Sequence, residues 1–332
     1  MMERTDVETL FSTIDEATLL LKKQLGYSYL EALVESGENM FQGEVLQEGV
    51  FDSVKERLEA SVKAFAEIEY KTEDIRRAFQ LCLLKGMKEG IQPHHEMTPD
   101  AVALFVSYLF NKFTQEKKEL SLLDPAVGTG NLVTAILNNA EGKEVTGYGV
   151  DADELLLRLA FVNANLQKHG IELFNGDSLG SLYIDPVDAI VCDLPVGHYP
   201  NEERAATYRL KANNGMSYTH HLFIEQCAHH IKEGGYMFLL IPNFMFEGEE
   251  AKSLHEFINE TCYIQGLLQL PVSMFKNDRH AKSIFVLQKK GAGAKAPKQV
   301  LLAELPSFTN MAAMEKMMVQ MNNWFDTEFA KR

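Results

Sequence analysis

No run of about eighteen apolar residues occurs anywhere in the 332-residue chain, which excludes a membrane-spanning helix on length alone. No export signal is expected either, because Glu3, Asp6 and Glu8 stand where such a leader needs a basic start and an unbroken apolar run. Cysteine is sparse: Cys82, Cys192, Cys227 and Cys262 form no C-x-x-C pair and sit in apolar surroundings, which predicts free thiols packed as small hydrophobes in a cytoplasmic protein. Positive charge is in deficit, 32 basic against 47 acidic residues for a net charge of −15, and such a field repels a phosphate backbone. The ten histidines include the pairs His94-His95, His220-His221 and His229-His230 but no H-x-x-x-H. No metal site is therefore expected, and these histidines are predicted to be solvated. Internal repeats and long low-complexity segments are also lacking. What remains, 46% hydrophobic and 24% charged residues, is the composition of a soluble protein large enough for a catalytic domain and a smaller companion.

From Val7 to Gly90 apolar residues recur three and four apart, as in Leu10, Ile14 and Leu19 and again in Val54, Leu58, Val62, Phe65 and Ile68, so residues 1–92 are expected to form an all-α domain. Pro93 and Pro99 then break the periodicity and mark a boundary. Beyond it strands and helices alternate: strands over 121–124, 144–151, 172–175, 187–193 and 236–241, with helices between. This predicts an α/β fold, a Rossmann-like doubly wound and mostly parallel sheet, over residues 93–292. Two further strands, 264–270 and 283–288, have no helical span between them and are expected to close as an antiparallel hairpin. Residues 293–332 form a C-terminal strand and helix extension, entered through a Gly- and Ala-rich linker, with Met-rich residues 311–324 as a packed helix.

The stretch Asp124-Pro125-Ala126-Val127-Gly128-Thr129-Gly130-Asn131 joins the first strand to a helix. Gly128 and Gly130 allow a tight turn with close backbone approach to a ligand, but the third glycine of a dinucleotide fingerprint is replaced by Val133. Asp124 would repel a pyrophosphate; it suits the ammonium and sulfonium of S-adenosylmethionine, while the N–H groups after Gly130 suit that cofactor's carboxylate. Asp151 ends the next strand, where an acid accepts both ribose hydroxyls, and Asp177 follows the third, where it accepts from the adenine amino group. Asp153 is read instead as a helix N-cap.

Met97-Thr98-Pro99, residues 124–132, Gly149-Val150-Asp151, residues 175–179, Asp193-Leu194-Pro195-Val196-Gly197, residues 234–242 and the run 265–290 together resemble the N6-adenine DNA methylase family. More narrowly they are similar to its small stand-alone YtxK-like members of Gram-positive bacteria, the only group that the N-terminal part also resembles. The resemblance implies S-adenosylmethionine as cofactor, with Thr98, Ala126, Ala152, Ser178 and Asp193 joining Asp124, Gly128, Gly130, Asn131, Asp151 and Asp177 around it. In the family the fourth-strand motif is Asn or Asp, Pro, Pro, then an aromatic residue. Its side-chain oxygen and next carbonyl accept the two N–H bonds of an exocyclic amine and turn the lone pair toward the sulfonium methyl.

Here Asp193, Leu194 and Pro195 would carry that chemistry, with Leu194 in place of a proline and Val196 in place of the aromatic that stacks on a flipped base. Val196 and Tyr199 are the candidate substrate contacts; Tyr199 reads either as a substitute stacking platform or as a surface residue. Residues 201–215, with Arg204, Arg209 and Lys211, read either as a mobile lid or as an exposed polar loop. DNA methylases usually carry a separate target-recognition domain, and none of the 42 residues after Lys290 suggests base readout. The leading expectation is N-methylation of DNA adenine; RNA, protein or a small amine is the alternative acceptor, favoured by the acidic charge. A non-catalytic S-adenosylmethionine-binding module that docks a protein partner through its N-terminal helices is the third reading. The oligomeric state is not legible.

Overall fold

The computed structural model describes residues 5–67, 70–89 and 97–329. The boundary expected after Gln92, the His94-His95 pair and Ile68 of the helical stripe lie outside the described residues. Thr5 opens helix α1 (Asp6–Leu25) with a capping box: its hydroxyl accepts from the Glu8 N–H at 3.3 Å and the Glu8 carboxylate accepts from the Thr5 N–H at 3.0 Å. Gly26, at φ 72°, stops the helix in a left-handed cap. Ser28 and Glu31 repeat the capping box for α2 (Tyr29–Gln42), which is followed by α3 (Asp52–Glu67) and α4 (Thr72–Glu89).

The alternating part follows as α5 (Asp100–Phe113), β1 (Glu119–Asp124), α6 (Asn131–Asn138), β2 (Glu144–Asp151), α7 (Glu154–Leu166), β3 (Ile171–Asn175) and β4 (Val187–Asp193). It continues as α8 (Glu202–Ala205), α9 (Thr219–His230), β5 (Ile231–Pro242), α10 (Ala251–Thr261), β6 (Cys262–Gln269), β7 (Lys282–Lys289), β8 (Leu301–Glu304) and α11 (Met311–Phe329). The strands form one sheet in the order β3-β2-β1-β4-β5-β7-β6-β8. β4 runs parallel to β1 and β5, pairing Asp193 with Leu240, whereas β7 lies antiparallel between β5 and β6, with Phe285 facing Leu239 and Leu267. This is the expected Rossmann-like sheet with its antiparallel end. Ala189 to Cys192, Met237 to Ile241 and Ile284 to Leu287 are buried without alternation, as strands covered on both faces must be.

The chain divides into two compact units, one of Met1–Leu104, Val127–Ala140 and Gly149–Asn175, the other of Phe105–Ala126, Glu141–Tyr148 and Gly176–Arg332. In the first, the stripe Leu10, Ile14, Ala17 and Leu21 of α1 meets Leu33 of α2, Phe79 and Leu83 of α4, and Leu159, Val162 and Leu166 of α7. A Cβ on Gly37 would lie 2.2 Å from Cγ1 of Val162, so any larger residue there would force the Val162 side chain to shift where α2 packs on α7. In the second, Phe110, Phe238 and Phe285 are fully buried, and Phe113 of α5 meets Phe325 of α11 edge-on at 5.0 Å between ring centroids. Of the methionines in α11, Met321 is buried and Met311 is exposed, so the expectation of packing holds for only part of them.

The observed strands extend several expected ones: β5 begins at Ile231, not 236, and β1 at Glu119, not 121. Helix α10 is an addition that the sequence reading did not contain. All four cysteines are buried and unpaired, as expected of thiols that pack as small hydrophobes. Among the described residues no helix is long and apolar enough to cross a membrane.

Candidate functional site

In the first unit the glycine loop is built by its own backbone and by one carboxylate. Val127 N–H donates to Val150 O at 3.0 Å and Gly130 N–H to Val127 O at 2.8 Å, with Gly128 and Gly130 at φ 52° and 75°. The Asp151 carboxylate accepts from Gly128 N–H at 2.8 Å and from Asp153 N–H at 2.9 Å, so the end of β2 sets the curvature of the turn before α6. Asp153 is the N-cap of α7, accepting from Leu156 N–H at 3.0 Å, as read from the sequence. Asn175 donates to the Asp151 carbonyl at 3.1 Å, and Ala152 is exposed beside them.

Two residues named from the sequence as cofactor contacts also hold the loop. Asn131 is buried and both ends of its amide are engaged: Nδ2 donates to the Thr98 carbonyl at 2.9 Å and Oδ1 accepts from Arg76 Nη1 at 2.8 Å. Thr98 is buried as well, and its carbonyl anchors Asn131. What Asn131 offers a ligand is its backbone N–H, one of the first-turn donors of α6 that have no intrahelical acceptor.

The second unit carries the remaining acids. Asp124, at the end of β1, is buried and accepts from Ala126 N–H at 3.1 Å. Ser178 donates to the Pro125 carbonyl at 2.5 Å, tying the segment after β3 to the exit of β1. Asp177 accepts from Leu179 N–H at 3.0 Å and from the Tyr199 hydroxyl. Tyr199 is buried, and burial together with its bond to Asp177 holds its hydroxyl protonated far above the usual range. It is therefore neither a surface residue nor a ring lying open for stacking. Tyr208 donates to the Leu179 carbonyl at 2.8 Å, and Gln226 donates to the Ser178 carbonyl at 2.6 Å, completing the frame of this turn.

Asp193 ends β4 next to β5, and its carboxylate accepts from Lys282 Nζ at 2.5 Å, both side chains being about four-fifths buried. Lys282 opens β7 opposite Pro242, the last residue of β5, and the sequence reading passed over it. Leu194 is buried and its N–H donates to Leu240 O at 3.2 Å, continuing the strand pairing for one residue past Asp193. Pro195 is half-buried and Val196 exposed. Residues 201–215 are mostly exposed, as an exposed polar loop would be, but the segment is pinned: Ala205, Tyr208 and Leu210 are buried, and Glu225 accepts from the N–H groups of Arg209 and Leu210 at 3.0 and 2.8 Å.

The histidine expectation needs correction in one pair. His220 and His221 are buried in the first turns of α9, where the packing of Tyr218 and Phe244 removes them from water, and burial pushes the His220 imidazole down to about 3. No group of three or more His, Cys, Asp or Glu among the described residues is placed to hold a metal.

Two family patterns match the chain: the YtxK N-terminal helical domain over residues 8–87 and the N-6 DNA Methylase over residues 94–326. A Bacillus subtilis (strain 168) protein, YtxK, described as uncharacterized, is 48% identical over 328 residues, covering 98% of this chain and all of its own. A Listeria monocytogenes protein, described with its crystal structure as a class I S-adenosylmethionine-dependent methyltransferase, superposes with a TM-score of 0.88 at 42% identity, over 96% of this chain and 99% of that one. The methyltransferase subunit of a type I restriction-modification system from Streptococcus thermophilus shares the fold, with a TM-score of 0.62 at 16% identity over 96% of this chain and 74% of its own.

Proposed function

The chain belongs to the N-6 DNA methylase family of S-adenosylmethionine-dependent methyltransferases, and from that premise we propose that it transfers a methyl group to an amino nitrogen held by Asp193. The observation that carries this reading is the placement of Asp193 at the carboxyl end of a central parallel strand, the edge where open α/β sheets bind their ligands. The chemistry of the loop suits the cofactor. Two glycines at positive φ leave backbone donors at the start of α6 for a carboxylate, and no atom lies within 4 Å of a Cβ built on Gly128. On this reading Asp124 faces the ammonium, Asp151 accepts from the ribose hydroxyls and Asp177 accepts from the adenine amino group, with Thr98, Ala126, Ala152 and Ser178 shaping the surround. The sulfonium supplies the electrophilic methyl. The Asp193 carboxylate and the Leu194 carbonyl accept the N–H bonds of the acceptor and orient its lone pair, and the carboxylate takes up the proton that the acceptor releases.

Adenine N6 in DNA is the acceptor that the family implies. Three features favour a second reading with a protein or small-amine acceptor: the net charge of −15, the exposed valine in the aromatic position of the motif, and a Tyr199 ring occupied in holding Asp177. We propose residues 93–292 as the catalytic module, 1–92 as a helical module able to dock a partner, and 293–332 as its extension. S-adenosylhomocysteine formation with DNA, RNA and cell extract, repeated with Asp193→Ala, tests the assignment. Turnover abolished by that substitution is expected, and the substrate that gives it identifies the acceptor. Binding of the cofactor without turnover on any of the three would leave a non-catalytic module.

A further inference from the structure

Among the described residues Arg76 is the largest side chain wholly excluded from solvent. It lies in α4, one of the N-terminal helices, yet its Nη1 donates to Asn131 Oδ1 at 2.8 Å, at the first residue of α6. Its Nε and Nη2 donate to the Glu73 carboxylate, at 2.8 and 2.7 Å, and Nη2 also to Asp100. Glu73 in turn accepts from Asn138 Nδ2 at 3.1 Å, so α4 grips α6 at its first and its last residue. From the half-buried Asn138 a chain of amides runs back to the loop: Asn138 to Gln167 at 2.8 Å, Gln167 to Asn163 at 2.7 Å, and Asn163 to the Thr129 carbonyl at 3.0 Å, with Gln167 and Asn163 buried. All of these residues belong to the first compact unit.

We propose that Glu73 and Arg76 are positioning residues for the glycine loop, which makes the N-terminal helices part of the cofactor-binding machinery; the proposal rests on the reading of that loop as the S-adenosylmethionine site. Electrostatic attraction is not their contribution, because the charge of Arg76 is offset by the carboxylates of Asp100 and of Glu73, which also accepts from Arg77 Nε at 3.2 Å. Stability alone is a poor reason for them too, since the cost of burying the Arg76 guanidinium is offset by partners that are themselves partly exposed, and apolar packing of the same volume often matches such a pair. What the network provides is one fixed arrangement: every amide in it has a partner, and each partner constrains Thr129, Asn131 or the helix that follows them. Without it, the donors of the first turn of α6 would no longer converge.

The test titrates S-adenosylmethionine calorimetrically into full-length wild type, Arg76→Met, Arg76→Lys, Asn131→Ser and the Arg76→Met/Asn131→Ser double variant, with a urea midpoint measured for each. Arg76→Met and Asn131→Ser should each weaken binding about tenfold, the scale of one charge-assisted hydrogen bond. The double variant should bind no more weakly than the worse single, because both changes break the same link. Arg76→Lys should fall between, since an ammonium cannot reproduce the fork. Arg57→Met, which breaks an exposed pair with Glu16 on the same helical layer, should bind as wild type does. Wild-type affinity in folded Arg76→Met, or additive losses in the double variant, would overturn the proposal. Should Arg76→Met not fold, unchanged affinity in Asn131→Ser overturns it by itself. If wild type gives no heat, the assignment of the loop to this cofactor fails; hydrogen exchange of residues 127–134 then decides the positioning claim, with faster exchange in Asn131→Ser expected and unchanged exchange refuting it.

Discussion

Replacing Asp188 by asparagine should cost the fold about 2 kcal/mol at neutral pH and nothing at strongly acid pH. Asp188 sits near the start of β4 and gathers four donors: Lys117 Nζ at 2.7 Å, Lys232 Nζ at 2.8 Å, Ser121 Oγ at 2.8 Å and Ser121 N–H at 3.1 Å. The two lysine side chains are 40% and 49% exposed, so solvent screening leaves each pair about 0.5 kcal/mol. The two serine bonds are part-buried and end on a charged acceptor, which adds about 0.5–1 kcal/mol apiece over a neutral amide. Together these donors hold the Asp188 carboxyl below the usual carboxylate range, against a burial cost that works the other way. Because the native group stays ionised where the unfolded one takes up a proton, its contribution is complete above the unfolded-state value and fades as pH falls. Urea titrations of wild type and Asp188→Asn should therefore run a constant distance apart from pH 8 to about 5, then converge by about 1.4 kcal/mol per pH unit below about 4. Equal midpoints at pH 7, or a gap that persists undiminished at pH 3, would refute the reasoning. Cofactor binding by the folded variant should not change, since Asp188 stands at the opposite end of β4 from Asp193.

Lys282→Met removes the partner of Asp193 and should lower methyl transfer to the acceptor identified above about tenfold or more, while the calorimetric affinity for S-adenosylmethionine holds; equal losses in both would place Lys282 in the cofactor site instead. Gly130→Ala forces a Cβ at φ 75° to within 3.2 Å of Ala160 Cβ and 3.3 Å of its Cα. It should lower stability by about 1–3 kcal/mol and weaken cofactor binding, read by denaturant melts and titration. His220→Phe removes a buried Nδ1 for which no partner is found among the described residues, so stability at pH 7 should be unchanged or about 1 kcal/mol higher. Its pH signature is sharper. His220 stays neutral down to about 3 while the unfolded imidazole charges at its ordinary value, so wild type should lose stability between pH 6.5 and 3 and the variant should lose less, as measured by urea midpoints across that range.

The sequence reading located β2 and β4 to the residue, because each is a short valine-containing stretch closed by an aspartate, and it found the loop between β1 and α6 from two glycines. It lost the first five residues of β5, Ile231 to Gly235, because Lys232, Glu233 and two glycines carry no strand preference; pairing of Ile231 with Val187 holds them. Helix α10 escaped because only Leu254, Phe257 and Ile258 of its eleven residues are buried. At the site, what misled was context beyond the local pattern. Tyr199 beside a proline reads as a surface residue until Asp177 is seen to take its hydroxyl. Neighbouring histidines read as solvated unless, as in α9, every residue from 220 to 228 is buried. Lys282 and Arg76 find partners 89 and 55 positions away, which no local periodicity reveals. Arg76 did leave one trace, a charge on the same helical stripe as Phe79 and Leu83.

The first compact unit is assembled from three separate lengths of chain and is complete only at Asn175. A nascent polypeptide emerging from the ribosome thus releases its first four helices long before Leu159, Val162 and Leu166 arrive to cover them. Until then their apolar stripes stay wet, a condition that invites chaperone capture during synthesis. The same wiring means that cutting the gene at a single point, however well chosen in sequence, strands part of one core on the wrong fragment.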